Sequence, residues 1–309
     1  MKLFLRNFLF FNKIDWYCFS IGVILLLTYL ITTILEWHFR SVKVYEAFES
    51  VSKVIESANI DSSVKETYIY PNATEIFWGG STKWFTFISN LTMAISLATF
   101  PFYKNSYRAQ KFYFGSLVYI IITVLVYWSG VAVYDGIFTN QNIFEMVKTL
   151  IMHAFAPALG LSTFFWLRHY VKISNNAIWF LAIYPVSYFF FTLIIYFTGH
   201  KFMDFGGTEL DRGVVIYKVV SFYEPLGYNG GDTFIVVLLD IILFLMAFLT
   251  APIIGFCLRK FFRVLQPNQK ALQPFYFVHP DLKNKLHLHL QSLKHHAINS
   301  QEEGFFDEQ

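Results

Sequence analysis

A threonine and a histidine stand just inside two of the long apolar segments of this chain. Thr86 comes three residues after Lys83, and His153 comes five residues after Lys148. At 1.5 Å per residue, a helix would place the hydroxyl about 4–5 Å and the imidazole about 7–8 Å inside the same outer edge. An imidazole that takes the proton of a hydroxyl makes it a nucleophile. The alternative is that both side chains only pack and hydrogen-bond between helices.

Asp240 is the third candidate, because it lies about seven residues into the last apolar segment. Ionisable residues inside a membrane span are costly, and they usually face the bundle interior or a cavity. A Thr86–His153–Asp240 arrangement would let the carboxylate orient the base. Asp240 could instead lie close enough to the surface to be solvated.

Four further residues could support the same chemistry. Ser89, Asn90 or Tyr184 could donate a hydrogen bond to an oxyanion. Pro157 removes a backbone donor and frees the carbonyl of His153, which would open a pocket or bend the helix. Aromatic packing at a kink is the alternative reading of Tyr184.

The composition indicates a membrane protein. Of the 309 residues, 55% are hydrophobic and 15% charged, whereas soluble domains carry about 25% charged residues. The net charge of +3 calls for no nucleic-acid partner, because basic loops on the inner side of a membrane account for it. Cys18 and Cys257 indicate no disulfide framework. Abundant Phe, Tyr, Ile, Asn and Lys suggest an AT-rich genome, so we expect the plasma membrane of such a bacterium.

The expected fold is an all-α integral membrane protein with a six-helix transmembrane bundle in residues 1–265. Each span needs about 20 apolar residues. The qualifying segments are roughly 16–36, 84–103, 113–134, 149–167, 177–198 and 233–258. Lys and Arg concentrate before the first segment, after the last, and in the second and fourth connections, whereas residues 135–143 contain none. This asymmetry predicts that the N-terminus and the C-terminus both lie inside.

Three connecting or terminal stretches have patterns of their own. In the outer loop 37–83, apolar residues at helical spacing predict an amphipathic helix that lies on the membrane or caps the bundle. The outer loop 199–232 holds two Gly-Gly pairs and is either an ordered loop or a lid. The tail 266–309 predicts an amphipathic helix attracted to anionic lipid. Its histidines also allow a metal-binding reading, but they form no closed four-ligand pattern. We therefore predict no metal and no other cofactor.

Short motifs in residues 80–200 resemble a known family. They are Phe85-Thr86-Phe87-Ile88-Ser89-Asn90, then His153 with Pro157, then Tyr184-Pro185 with Tyr188. This order is similar to that of the androgen-induced and androgen-dependent six-span membrane proteins and their uncharacterised bacterial relatives. The animal members are hydrolases that cleave fatty-acid esters of hydroxy fatty acids with a Thr nucleophile and a His partner. The resemblance implies that Thr86 is the nucleophile and His153 its partner, and it implies no role for Asp240.

Two functional hypotheses follow. The first is an intramembrane hydrolase of lipid-like fatty acyl esters, which uses Thr86 and His153 and draws its substrate from the membrane lipids. The second is a non-catalytic multi-pass protein that binds, senses or transports a lipid or small solute in the same polar cavity. Hydrolysis requires the two side chains within hydrogen-bond reach, whereas a structural bundle would have them pointing into separate helix contacts.

Overall fold

The computed structural model describes residues 8, 11–131 and 143–269, and the fold below concerns this part of the chain. It contains six helices that are long and apolar enough to cross a membrane: α1 Lys13–Ser57, α2 Phe85–Tyr103, α3 Tyr107–Gly130, α4 Ile143–Tyr170, α5 Asn175–Phe205 and α6 Thr233–Phe261. These residues form no β-strand, and their one isolated bridge pairs Lys172 with Leu265. The predicted all-α fold with six helices of spanning length is therefore confirmed for the described part. The predicted tail helix and its histidines fall almost wholly outside it.

The amphipathic helix predicted in the outer loop 37–83 is present, but it is the continuation of α1. The amphipathic stretch is no separate helix, because α1 continues without a break to Ser57. Residues 37–57 contain neither Gly nor Pro, so nothing in this stretch ends the helix. At its other end, Asn12 and Asp15 form a reciprocal capping box that fixes where α1 begins. With 45 residues, α1 is about 67 Å long.

The chain after α1 folds back along the far part of that helix. A short helix, Ala73–Trp78, lies in this return, and a groove between it and α1 is lined by Val44, Tyr45 and Phe48 from α1 and by Tyr70, Pro71 and Ile76 from the return. Val44 and Phe48 belong to the apolar stripe that was predicted to lie on the membrane or to cap the bundle, and they face the protein's own connection instead. The return ends where Ser81 binds the Glu36 carboxylate through its backbone N–H at 2.9 Å and its hydroxyl at 2.5 Å.

Helix α2 is the most enclosed of the six helices. In its most apolar stretch 61% of residues are buried, whereas α6 reaches only 11%, so α2 lies at the centre of the bundle and α6 at its periphery. Close packing against α1 needs a glycine, because a Cβ at Gly22 would lie 2.3 Å from the backbone nitrogen of Ala98. The main core combines Leu25 and Tyr29 of α1, Met93, Leu97 and Phe100 of α2, Tyr113, Phe114 and Leu117 of α3, and Phe164 of α4.

The two ends of the bundle differ, and we name them here. At the closed end, short turns join α2 to α3 and α4 to α5. There Lys104 donates to Asp15 at 2.6 Å, and Gln110 donates to the Lys104 carbonyl at 2.8 Å. The opposite end, where α2, α4 and α6 begin, we call the cavity end.

Residues 206–232, which we call the capping segment, lie over the cavity end. The segment is anchored on α5, because the Tyr196 hydroxyl donates to the Glu209 carboxylate at 2.7 Å and accepts from the Tyr223 N–H at 3.1 Å. The Ser221 hydroxyl donates to the same carboxylate at 3.1 Å. Val215 and Phe222 pack with Tyr196 in a small separate core. The outer loop predicted at 199–232 is thus ordered, and it begins with the last turn of α5.

Candidate active site

A cavity of about 640 Å³ lies at the cavity end, beneath the capping segment. Its volume is typical of sites that bind small molecules. Thr86 and His153 are both on its wall. Most of the wall is apolar, with Ile122 and Val126 of α3, Phe189 of α5, and Leu243 and Met246 of α6 among its members. The site therefore combines one polar pair with space for an apolar ligand.

Thr86 and His153 face each other directly. The distance from Thr86 Oγ1 to His153 Nε2 is 3.4 Å, and both side chains are buried. The other ring nitrogen, Nδ1, lies 3.0 Å from the Thr149 carbonyl. A carbonyl only accepts, so Nδ1 carries the proton, and Nε2 of the neutral ring presents its lone pair to the threonine hydroxyl. This is the tautomer that a general base needs, at a distance slightly looser than the 2.6–3.2 Å expected with substrate bound.

The His153 ring is also held from the side. Tyr127 of α3 stacks on it with ring centroids 3.7 Å apart and an interplanar angle of 20°. Stacking on one face and the hydrogen bond at Nδ1 leave the ring little freedom to rotate. The imidazole is therefore oriented before any ligand binds.

The backbone around His153 departs from a regular α-helix. A π-helical turn covers Ile151–Phe155, and such turns are frequent at functional sites. Pro157, which follows it, has no N–H to offer the preceding turn. Two side chains supply the missing donors: Asn90 donates to the Met152 carbonyl at 3.1 Å, and Trp128 donates to the His153 carbonyl at 2.9 Å. The carbonyl that Pro157 was predicted to free is thus bound by α3.

Asn90 was predicted as an oxyanion donor, and its hydrogen bonds leave it no N–H for that role. Its amide nitrogen donates to the Thr86 carbonyl at 2.9 Å as well as to Met152. Its oxygen accepts from the Tyr29 hydroxyl at 2.9 Å. Asn90 therefore links α1, α2 and α4 behind the Thr86–His153 pair. It also fixes the position of Thr86 relative to His153.

Ser89 and Tyr184 lie behind the cavity wall and do not line it. Their hydroxyls are 3.3 Å apart, and the Tyr184 hydroxyl donates to the Phe85 carbonyl at 3.4 Å. The Tyr184 ring stacks on Phe85 with centroids 4.8 Å apart. Both residues therefore join α2 to α5, which is the packing alternative weighed for Tyr184.

Asp240 is not brought to the predicted pair. It is absent from the cavity wall, and its Oδ1 has no hydrogen-bond partner among the described residues. The backbone carbonyl of Thr149 occupies the place on His153 Nδ1 that a carboxylate was predicted to take. The physical reason is the peripheral position of α6, which contributes apolar side chains to the cavity but no polar group to the pair.

Sequence reasoning missed Tyr127, Trp128 and Thr149 around His153, and it also missed a residue beside Thr86. Tyr217 of the capping segment has its hydroxyl 3.5 Å from Thr86 Oγ1. Burial raises the pKa of Tyr217, so its hydroxyl stays protonated over the physiological range. The two Gly-Gly pairs in this part of the sequence indicated a possible lid over the site. Nothing in the local sequence distinguished Tyr217 from the other tyrosines nearby.

The rim of the cavity is charged, and its Lys148 is paired with two carboxylates. The Lys148 ammonium lies 2.7 Å from the Glu145 carboxylate and 3.5 Å from that of Glu36. Glu36 also binds Ser81, so the rim connects α1, α4 and the residues before α2. No three His, Cys, Asp or Glu side chains come together as a metal site within the described ranges.

Comparisons with known proteins give little further information. No family model matches the chain, and no solved structure matches it. An uncharacterised protein of the bacterium Mycoplasma genitalium is 21% identical over 164 residues. The match covers 47% of this chain and 63% of that protein, so the chain spans less than two thirds of the relative's length.

Proposed function

We propose that this protein is an intramembrane hydrolase of lipid-like fatty acyl esters, with Thr86 as nucleophile and His153 as general base. One observation carries the proposal: the unprotonated Nε2 of His153 lies 3.4 Å from the Thr86 hydroxyl on the wall of a largely apolar cavity. The resemblance of residues 80–200 to the androgen-induced and androgen-dependent hydrolases supports the same two residues and the same substrate class.

In the first step Thr86 Oγ1 attacks the carbonyl carbon of the ester while its proton passes to His153 Nε2. The resulting tetrahedral intermediate carries the negative charge on the former carbonyl oxygen. The bond to the alcohol oxygen then breaks, and the alcohol leaves with the proton from Nε2. An acyl group remains esterified to Thr86.

In the second step water replaces the alcohol. His153 Nε2 takes a proton from the water, whose oxygen attacks the acyl carbon, and the same proton then returns to Thr86 Oγ1 as the fatty acid leaves. The Thr149 carbonyl stabilises the protonated ring through Nδ1 in both steps. The products are one alcohol and one fatty acid, and the enzyme is unchanged.

The start of α2 favours negative charge beside Thr86. Helix α2 begins at Phe85, and Trp84 provides no side-chain cap. The N–H groups in the first turn of a helix have no partners within it, and the helix dipole is positive at this end. The positive end of the α2 dipole therefore lies beside Thr86 and favours an oxyanion that forms there.

The proposal includes a membrane arrangement, which rests on the asymmetry of Lys and Arg in the sequence. With both termini inside, the cavity end faces outward, in the plasma membrane of a bacterium. Val126 of α3 and Met246 of α6 line the cavity and are 43% and 52% exposed. The proposal has an acyl chain enter sideways from the bilayer between these two helices, while its polar end stays near the charged rim.

A fluorophosphonate probe, which phosphonylates activated hydroxyls, tests the proposal on the purified full-length protein. We expect the wild type and Thr86→Ser to be labelled, Thr86→Ala to be unlabelled, and His153→Ala to be labelled at least about 100-fold more slowly. Thr192→Ala is the matched control, because Thr192 is equally buried on the same wall but donates to the Phe189 carbonyl. Labelling that persists in Thr86→Ala would refute the assignment.

A non-catalytic lipid-binding role is the second candidate, because the apolar wall and the paired rim charges suit a bound lipid without any reaction. In that case no variant reacts with the probe. A fluorescent fatty acid would still bind, and Thr86→Ala would bind it as tightly as the wild type. Met246→Trp, which narrows the cavity, would weaken binding whichever candidate is correct.

A further inference from the structure

We infer that the Tyr217 hydroxyl donates a hydrogen bond to the oxyanion of the tetrahedral intermediate, so that the capping segment completes the active site. This inference rests on the proposed function, since it concerns the same reaction at Thr86. It assigns a catalytic role to a residue outside the helices that carry the nucleophile and the base. Three observations support it.

The first observation fixes the direction of the hydrogen bond. The Thr86 hydroxyl has one hydrogen, and the acceptor Nε2 of His153 lies 3.4 Å away. Because that hydrogen points at Nε2, the contact of 3.5 Å between Thr86 Oγ1 and the Tyr217 hydroxyl has Tyr217 as its donor. The phenol hydrogen therefore points toward the nucleophilic oxygen.

The second observation is the position of that donor relative to the reaction. In the tetrahedral intermediate, the oxyanion and Thr86 Oγ1 are bonded to the same carbon. A donor 3.5 Å from Oγ1 needs only a small rotation of the phenol to reach the oxyanion, where donors act at about 2.7–3.1 Å. His153 approaches the same Oγ1 for the proton, so acid–base chemistry and charge stabilisation have separate groups.

The third observation is that the segment holding Tyr217 is fixed in place. The Tyr196, Glu209 and Ser221 hydrogen bonds anchor it on both sides of Tyr217 in sequence. Tyr217 itself lines the cavity together with neighbouring residues 216 and 218–220. A donor on an anchored segment needs little reorganisation during the reaction, which is the condition for effective electrostatic stabilisation.

The three oxyanion donors predicted from the sequence and the neighbouring Tyr188 are engaged elsewhere. The Asn90 amide donates to two backbone carbonyls. The Ser89 and Tyr184 hydroxyls form a hydrogen bond with each other behind the cavity wall. Tyr188 lines the cavity, but its hydroxyl donates to the Lys83 carbonyl at 3.2 Å. Tyr217 is thus the tyrosine of the cavity wall whose hydroxyl is directed at Thr86.

The test compares Tyr217→Phe with the wild type, using paired long-chain esters that differ only in a carbonyl oxygen or sulfur. Loss of one oxyanion donor lowers kcat by about 100-fold, and we expect this loss for the oxygen ester with little change in KM. The sulfur ester accepts hydrogen bonds weakly, so its kcat should fall much less. Tyr223→Phe is the matched control, because Tyr223 is a half-exposed tyrosine of the same segment and does not line the cavity.

Trypsin provides a structural control, since Arg212 and Lys218 are exposed in the capping segment. Equal cleavage of wild type and Tyr217→Phe shows that the segment remains docked. An unchanged kcat in Tyr217→Phe, or equal losses on both esters, would overturn the inference while Thr86-dependent hydrolysis stands. A wild type without any Thr86-dependent hydrolysis would instead refute the proposed function, and the role of Tyr217 with it.

Discussion

The closed end and the cavity end of the bundle contain similar buried ion pairs but differ in how tightly they pack. Each holds a buried ion pair that crosses between helices, Asp15–Lys104 at the closed end and Lys148 with Glu36 and Glu145 at the cavity end. At the closed end, short turns and close packing leave a continuous core. At the cavity end, longer connections and π-helical turns leave about 640 Å³ of space.

The closed end is thus the rigid part of the bundle, and the cavity end is the irregular part. The closed end fixes the relative positions of α1, α2 and α3, so that the cavity end can depart from regular geometry. There, Pro157 and the π-helical turn release backbone carbonyls that Asn90 and Trp128 bind. Substitutions at the closed end should therefore affect stability, and substitutions at the cavity end should affect catalysis.

The largest expected effect on stability comes from Asp15→Asn. The Asp15 side chain is fully buried against Lys104 and also caps α1. Removing one partner of a buried ion pair leaves the other charge uncompensated, so we expect a loss of about 3 kcal/mol in the free energy of unfolding in detergent. Asp232→Asn is the control, because this exposed N-cap of α6 works as well with Asn. Equal stability of the Asp15 variant and the wild type would contradict the ion pair's role.

An intermediate effect is expected from Trp128→Phe at the cavity end. The change removes the donor to the His153 carbonyl, which is worth about 1 kcal/mol, and we expect kcat to fall about five-fold because the base is held less firmly. Pro157→Ala added to this variant restores a backbone N–H near that carbonyl and should recover part of the loss. An unchanged kcat in Trp128→Phe would show that the π-helical turn holds His153 without help from α3.

The smallest effect is expected from Asp240→Asn. Because Asp240 neither lines the cavity nor bonds to His153, kcat should change by less than about two-fold, well below the loss for a general base. Ester hydrolysis by Asp240→Asn is measured in parallel with that by His153→Ala and the wild type. A loss as large as that of His153→Ala would mean that α6 brings the carboxylate to the histidine during catalysis.

The fold was largely predictable, because six apolar segments of spanning length leave few alternatives. The amphipathic pattern of Val44 to Ile55 correctly indicated a helix, but not its continuity with the first span or its partner. Val44 and Phe48 face the return segment of the same chain, and no local pattern reports such a contact. Continuity with the first span could have been inferred from the absence of Gly and Pro between them.

The site was predictable only in part. Depth along each helix, together with the family resemblance, singled out Thr86 and His153. The same depth argument misplaced Asp240, because depth does not specify which face of a helix points inward. The Thr149 carbonyl and Tyr217 carry no signal in a single sequence, since one is backbone and the other lies on a long connection whose path only the structure reveals.

The central claim is that Thr86 becomes acylated, and mass spectrometry of the trapped protein tests it most directly. The purified wild type is mixed with an activated long-chain ester, quenched in acid within the first turnover, and digested. The account predicts one acyl group on the peptide that contains Thr86, absent in Thr86→Ala and retained in Thr192→Ala. Hydrolysis without an adduct at Thr86, or an adduct on another residue that persists in Thr86→Ala, would contradict it.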